Sequence, residues 1–453
     1  MTIDTYPPNS PATAGPISAT RVHLPGSPAF DAGTRLWNGA VTRRPAAVVR
    51  PTSCSEVQSA LRYAADTGIP VAVRGGGHDW AGRALATGGL VIDLSLMRRV
   101  EVDVASQTAF VSGGSTAADV VAATEPFGLV PATGTYGGVG MVGLTLGGGY
   151  GPLNGIAGLA LDNVVAFEVV LRDGTTTIVD ERHEPDLFWA LRGGGGNFGV
   201  VTGMRLRLHA LDSVIAGFIG FPWEQAEQIF CRYDVLNPTM PDELTVQIGV
   251  LSGPDCQPIV FMAPAWSGAP ATGVTWIERL KRLGTPVVAE VGEMPYSAML
   301  GLFDPYVIDG RHYELRTRTV RSLGGDVIQT LLRAGESRTS ALSGIAIHHF
   351  HGAATRVPLG DTAFGIRSDH FVVEIVAAWD PSDNESRHRG WADTVYSELG
   401  PYSLDGGYPN LIGPGQAAQA DSAYGPNAGR LLAVKRRYDP GNVFSATPLP
   451  SSA

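Results

Sequence analysis

Several residue types are scarce in this chain of 453 residues. It holds three cysteines, Cys54, Cys231 and Cys256, with no metal or redox spacing among them. An odd, scattered set argues against a disulfide scaffold and fits a reducing compartment, so a cytoplasmic location is expected. Lysine is nearly missing: Lys281 and Lys435 are the two lysines among 33 basic residues. No basic run occurs and the net charge is −10, which sets aside nucleic acid and anionic membrane as partners. No apolar run reaches the roughly 18 residues that cross a bilayer. The first residues, MTIDTYPPNSPATAGP, show neither the basic nor the apolar region of a secretory signal. A Gly-x-Ser-x-Gly elbow, a Walker-type phosphate loop and a dinucleotide fingerprint between a strand and a long helix are all missing too.

Glycine is the residue in excess. The 58 glycines bunch at 75–77, 137–151 and 193–199, each time beside Val, Leu or Phe. Apolar neighbours exclude linker and collagen readings, and close approach of backbone to a ligand explains the bunching better. Hydrophobic residues make up 44% and charged residues 17%, a globular balance. At this length, about two to four domains, or two large ones, are expected.

Residues 1–35 are Pro- and Ser-rich and read as a loose lead-in. Beyond them, short strands alternate with helices. SEVQSALRYAADTG reads as a helix capped by its first Ser and stopped at Gly68. VEVDVASQTAFVSGG reads as a hairpin, and VVAFEVVLRDG with TTTIVD as another, around an Asp-Gly turn. Residues 134–158 are glycine-dense, and Gly134–Gly151 is too glycine-rich for either a helix or a strand. After about residue 212 alternating strands dominate (SVIAGFIGF, LTVQIGVL, PIVFMAPAW, GIAIHHFHG, FVVEIVAAW), separated by four amphipathic helices. That pattern predicts one antiparallel sheet covered by helices on one side. The fold class is α+β, with a nucleotide-binding part and a mostly antiparallel part.

Three glycine loops carry the chemistry. Arg74-Gly75-Gly76-Gly77-His78-Asp79 follows a strand, and its exposed N–H groups suit a pyrophosphate; a plain strand turn with a surface histidine is the competing reading. Gly134–Gly151 predicts backbone passing along a flat ligand over many residues. Arg192–Thr202 is a third such loop, and together they point to one large cofactor wrapped by the N-terminal half.

RGGGHDWAG, GLTLGGGYG, LDNVVAFEVVLRDG, PDLFWALRGGGGNFGVVT and YGPNAGRLLAVKRRYDPGNVF, in that order, resemble the berberine-bridge-enzyme-like FAD-linked oxidoreductases. These form a subgroup of the vanillyl-alcohol-oxidase superfamily, whose FAD-binding domain is of the PCMH type. The resemblance covers about residues 36–446. It implies an FAD-binding domain over 1–211 and 412–453, with a substrate domain over 212–411. It further implies FAD bonded covalently through His78, with Arg74, Gly75, Gly76, Gly77, Asp79, Gly82, Tyr136, Gly138, Gly140, Gly143, Leu144, Gly147, Gly148 and Tyr150 around the pyrophosphate and ring system. Gly196, Asn197, Gly199 and Val201 would follow the adenosine half, and Asn410 would touch the flavin. Many relatives add a second bond from a cysteine; the position corresponding by spacing is Tyr136, so a single attachment is expected.

The resemblance also makes Tyr408, in Gly407-Tyr408-Pro409-Asn410, a candidate base, against the plainer reading of a packed aromatic. An ordinary tyrosine pKa is about 10, so such a base needs help from its surroundings. Glu374, inside the apolar run FVVEIVAAW, is the other candidate, either as a base with a raised pKa or as a partner for a substrate amine or for Tyr408. A salt bridge to Arg316 or Arg367 is its structural alternative. His348, His349 and His351 do not make a metal site, because strand alternation separates the first from the other two; His349 and His351 are expected along the substrate face. Tyr306, Tyr313 and Arg316 are further candidates for the cleft. The expected activity is an oxidase acting on an alcohol or activated C–H of a small natural product, with dioxygen as acceptor and the chain a monomer or homodimer. Oxygen insertion, carbohydrate oxidation and flavin binding without catalysis are the alternatives.

Overall fold

The computed structural model describes residues 22–451. The leader reading, which falls on residues 1–16, and most of the expected loose lead-in lie outside the described residues. Inside them, Pro28–Thr34 is a helix rather than a loose segment. Ser27 accepts a hydrogen bond from the Phe30 N–H and Pro28 occupies the first turn, both favourable for starting a helix.

The first part of the chain builds two sheets. Four strands lie in the order Val22–His23, Ala47–Val49, Leu90–Asp93, Val71–Arg74, and the last three run parallel. The helix Cys54–Thr67 covers them, buries Val57, Ala60, Leu61 and Ala64, and closes at Gly68 in the left-handed region. Its cap is Ser53, which receives the Glu56 N–H, and not Ser55 as the sequence pattern suggests. The second sheet runs Val100–Asp103, Thr108–Ser112, Val200–Ala210, Val164–Val170, Thr176–Val179. Both expected hairpins belong to it.

The glycine block holds a helix after all, Met141–Gly147. Burial of Met141, Val142 and Leu146 in the core outweighs its glycines, whose propensity penalty is about 1 kcal/mol each.

The later part is a seven-stranded antiparallel sheet. Its order is Val288–Met294, Val214–Pro222, Pro258–Trp266, Leu244–Ser252, Gly344–Phe350, His370–Trp379, His312–Val320. The two outermost strands escape the sequence reading for a physical reason. AEVGEM and HYELRTRTV carry charges in place of apolar alternation, as edge strands do. Helices Ala226–Leu236, Pro270–Lys281, Gly325–Glu336 and Glu385–Leu399 cover one face, with Ile248, Ile347, Val373 and Ile375 buried beneath them. The opposite face looks toward the first part. The division expected near 211–212 falls between the strands Val200–Ala210 and Val214–Pro222. The helix Ala428–Tyr438 returns to the first part, where Leu431 and Val434 join Leu187, Leu191 and Phe198 in one core.

Candidate cofactor and substrate site

Between the bare face of the large sheet and the glycine loops lies a cavity of ≈ 430 Å³. Gly75, Gly76, Gly77, His78 and Asp79 line it, as do Tyr136, Gly140, Gly143, Leu144 and Tyr150. Gly196, Gly199, Val201, Glu374, Tyr408 and Asn410 lie on its wall as well. All three glycine loops therefore meet at one place. The first two touch directly: a Cβ on Gly76 would lie 2.4 Å from the Gly140 nitrogen, and one on Gly140 would lie 2.5 Å from the Gly76 nitrogen.

His78 Nε2 is buried and has no hydrogen-bond partner. Burial lowers the imidazole pKa to about 4, so the ring is neutral. Trp37 stacks on it, with centroids 4.5 Å apart and an angle of 10° between planes, and the Tyr136 ring lies 5.4 Å away.

At the sheet, Tyr150 donates to Glu374 Oε1 at 2.6 Å, and His348 Nε2 lies 3.5 Å from Glu374 Oε2. Burial alone would raise the Glu374 pKa, but His348, the Tyr150 hydroxyl and His78 outweigh it and hold the carboxyl below its usual value. The expected raised pKa is thus not found. Neither Arg316 nor Arg367 pairs with Glu374: Arg367 binds Asp162, and Arg316 binds Glu314 and Asp393.

Tyr408 lies edge-on to Tyr150, with centroids 4.7 Å apart. Its oxygen accepts two hydrogen bonds, from the Gly149 N–H at 2.8 Å and from Asn410 Nδ2 at 3.0 Å. Burial pushes the phenol up to about 12, and those two donors limit the rise.

Other expected residues serve the walls from behind. Arg74 turns away from the cavity and bonds Asp93 at 2.8 Å, fixing the base of the first loop. Gly82 packs on Val41 and Gly138 on the Tyr136 ring. Gly147 and Gly148 leave room for Asn410 and Tyr408, which a Cβ would strike at 2.0 and 2.5 Å. Asn197 ties down the C-terminal segment, donating to Thr447 O at 3.0 Å and accepting from the Ala446 N–H at 2.7 Å.

The substrate candidates divide by pleat. Tyr313 lines the cavity and Tyr306 stands at its rim, whereas Arg316 faces Asp393 on the covering helix. His348 is the histidine on the cavity face, so the face expected for His349 and His351 is reversed. His349 bonds Asp369 at 3.0 Å and stacks on Phe371, which belongs to the helix-covered core. His351 stacks on His349 at 4.5 Å. Alternation shows that the two faces differ, and it does not say which one faces the cavity. Sequence reasoning also missed Trp37, Gln247, Phe261, Phe303 and Phe444–Thr447, which line the same space without any motif to mark them. None of the three cysteines lines it. Cys54 is part-buried against Glu168 and Thr202, and Cys231 and Cys256 are exposed. Among the described residues, no cluster of side chains suits a metal and no helix is long and apolar enough to cross a membrane.

A family model described as an FAD binding domain matches residues 45–180, and one described as berberine and berberine like matches residues 409–448. The chain is similar to the FAD-linked oxidoreductase aurO of Gibberella zeae, 30% identical over 434 residues, covering 94% of this chain and 85% of that protein. It is 34% identical over 296 residues to (R)-6-hydroxynicotine oxidase of Paenarthrobacter nicotinovorans, 64% of either chain. Among solved structures, 6-hydroxy-D-nicotine oxidase from Arthrobacter nicotinovorans superposes with a TM-score of 0.88 at 27% identity, covering 97% of this chain and 100% of that one. Xylooligosaccharide oxidase from Myceliophthora thermophila, solved with xylobiose, gives 0.82 at 26% identity, covering 96% and 97%.

Proposed function

The chain belongs to the berberine-bridge-enzyme-like FAD-linked oxidoreductases and is an FAD-dependent oxidoreductase; on that premise we propose that it oxidises an alcohol or amine of a small apolar molecule, with FAD attached through His78 alone and dioxygen as acceptor. The observation that carries this reading is one cavity with His78, whose Nε2 is buried without a partner, in its wall and the Tyr150–Glu374 bond on the facing sheet. The residues fit the cofactor. Side-chain-free backbone borders the cavity at Gly75–Gly77, Gly140, Gly143, Gly196 and Gly199, leaving N–H groups and space for a pyrophosphate and a flat ring. In this reading residues 1–211 and 412–453 hold the cofactor, and residues 212–411 present the substrate to it.

Bound flavin would supply a two-electron acceptor. The chain's residues manage the proton. Glu374 is held ionised, and its oxygen already receives the Tyr150 proton. When the Tyr150 oxygen takes a proton from the substrate hydroxyl or amine, its own proton passes to Glu374, and His348 stands beside the carboxylate throughout. Tyr408 is a phenol at neutral pH. With both lone pairs engaged by Gly149 and Asn410, its O–H is left to point at the substrate and orient it.

Phe261, Phe303, Leu251, Leu342 and Val376 on the cavity wall favour an apolar, ring-bearing substrate over a sugar, which would need many more polar partners. The test is direct. Acid-denatured protein should keep its yellow colour, His78→Ala should release it, and hydrogen peroxide should appear with cyclic alcohols or amines and not with oligosaccharides. Colour lost from the wild type would sink the attachment. Label from dioxygen found in the product would replace oxidation by oxygen insertion.

A further inference from the structure

Residues 37–39 tie the first glycine loop to the edge of the large sheet. The Trp37 N–H donates to Gly77 O at 3.0 Å, and Trp37 O accepts from the Gly310 N–H at 2.9 Å. Gly39 N–H reaches Arg311 O at 2.9 Å. Buried Asn38 donates to Trp80 O at 2.7 Å and Tyr313 O at 2.9 Å, and accepts from the Tyr313 N–H at 2.9 Å. The Trp37 indole lies between two rings, 4.5 Å from His78 and 4.0 Å from Tyr313, nearly parallel to both. Tyr313 is itself fixed, because its hydroxyl donates to Ile308 O at 3.0 Å and accepts the Ile308 N–H at 3.0 Å. His78 has no hydrogen bond from Nε2 to set its ring angle. Beside a hydrogen bond to its own backbone, the Trp37 stack is what orients it.

We propose that Trp37, braced by Tyr313, is the positioning residue that sets the angle of the His78 imidazole in the cavity wall for flavin attachment, and that the 37–39 strap thereby makes attachment depend on docking of the substrate part. The proposal rests on attachment at His78. Forming that bond removes one hydrogen from the flavin 8α-methyl and one from the imidazole; dioxygen takes both, with two electrons, as hydrogen peroxide. A ring held at one angle presents its lone pair along one line, and small misplacements of a nucleophile cost large factors in rate.

The test compares holoprotein of the wild type, Trp37→Leu and Trp37→Phe, each precipitated in acid, with flavin measured in pellet and supernatant and with thermal melting recorded. Wild type should keep flavin in the pellet. Trp37→Leu should bind FAD yet attach it about 10- to 100-fold more slowly, leaving most colour in the supernatant at an unchanged melting temperature. Trp37→Phe, which can still stack, should restore attachment. Undiminished attachment in Trp37→Leu overturns the proposal. So does loss of all flavin together with a fall in melting temperature, because that marks a merely structural role. Colour released from wild type overturns the reading beneath it, and is told apart by occurring before any substitution.

Discussion

Glu374 and Tyr408 share a cavity, and their acidities are pushed in opposite directions. The carboxyl is held below its usual value and the phenol is raised to about 12. A proton acceptor must be ionised to act, so turnover should fall only as pH drops through the lowered value of Glu374. It should then stay flat through neutrality, with no basic limb from Tyr408 below about 12. The same sign holds for stability: the contribution of ionised Glu374 is present above its unfolded value and lost as pH falls through the folded one. A pH–rate profile of substrate-driven flavin bleaching checks this, and Glu374→Gln should lower the rate by about 10²- to 10⁴-fold and erase the acid limb. A second prediction concerns thiols. Burial, Glu168 and its hydrogen bond raise the Cys54 thiol to about 12, whereas Cys231 and Cys256 are exposed. Alkylation of native protein at mildly basic pH should therefore label Cys231 and Cys256 and spare Cys54, as peptide mass mapping would reveal.

Within the glycine loops, two positions separate holding the fold from leaving room for the cofactor. Gly76→Ala drives a methyl into the Gly140 backbone, which cannot yield, and should destabilise the protein by about 1–3 kcal/mol or more. Gly143→Ala meets no atom within 4 Å, and alanine is the better helix former by about 1 kcal/mol. Its methyl instead takes space the cavity needs. Melting curves and flavin content should dissociate: Gly76→Ala lowers both, while Gly143→Ala keeps the melting temperature and lowers flavin content. These loops were legible because glycine clusters among apolar residues have few other uses, and the inner strands because alternation is strong where one face is buried. The helix Met141–Gly147 was not legible, since its stability comes from packing and not from propensity. Nor was the histidine facing the cavity, which depends on which side of the sheet the first part docks. Trp37 and Asn38 carry no local signal at all; their roles come from partners some 270 residues away along the chain.

On the scale of the whole molecule, the C-terminal segment is held by a buried lysine. Lys435 Nζ donates to Asn197 O at 2.8 Å, Asp439 Oδ2 at 2.6 Å and Phe444 O at 2.6 Å. Lys435→Met strands the Asp439 carboxylate and should cost about 3–5 kcal/mol, measurable by chemical denaturation, with flavin content falling in parallel. The retained N–H bonds from Val443 and Phe444 to Asp439 would be left to hold an uncompensated charge. The wall of the cavity runs in sequence from Trp37 to Thr447. That span has a consequence in time. A chain made from its N-terminus lets early domains fold first, at about 5–20 residues per second. Here Phe444–Thr447 leave the ribosome after every other residue of the wall, so the site closes only once nearly all of it has been synthesised. FAD then meets a finished site only in a chain that already carries the whole wall, from Trp37 to Thr447.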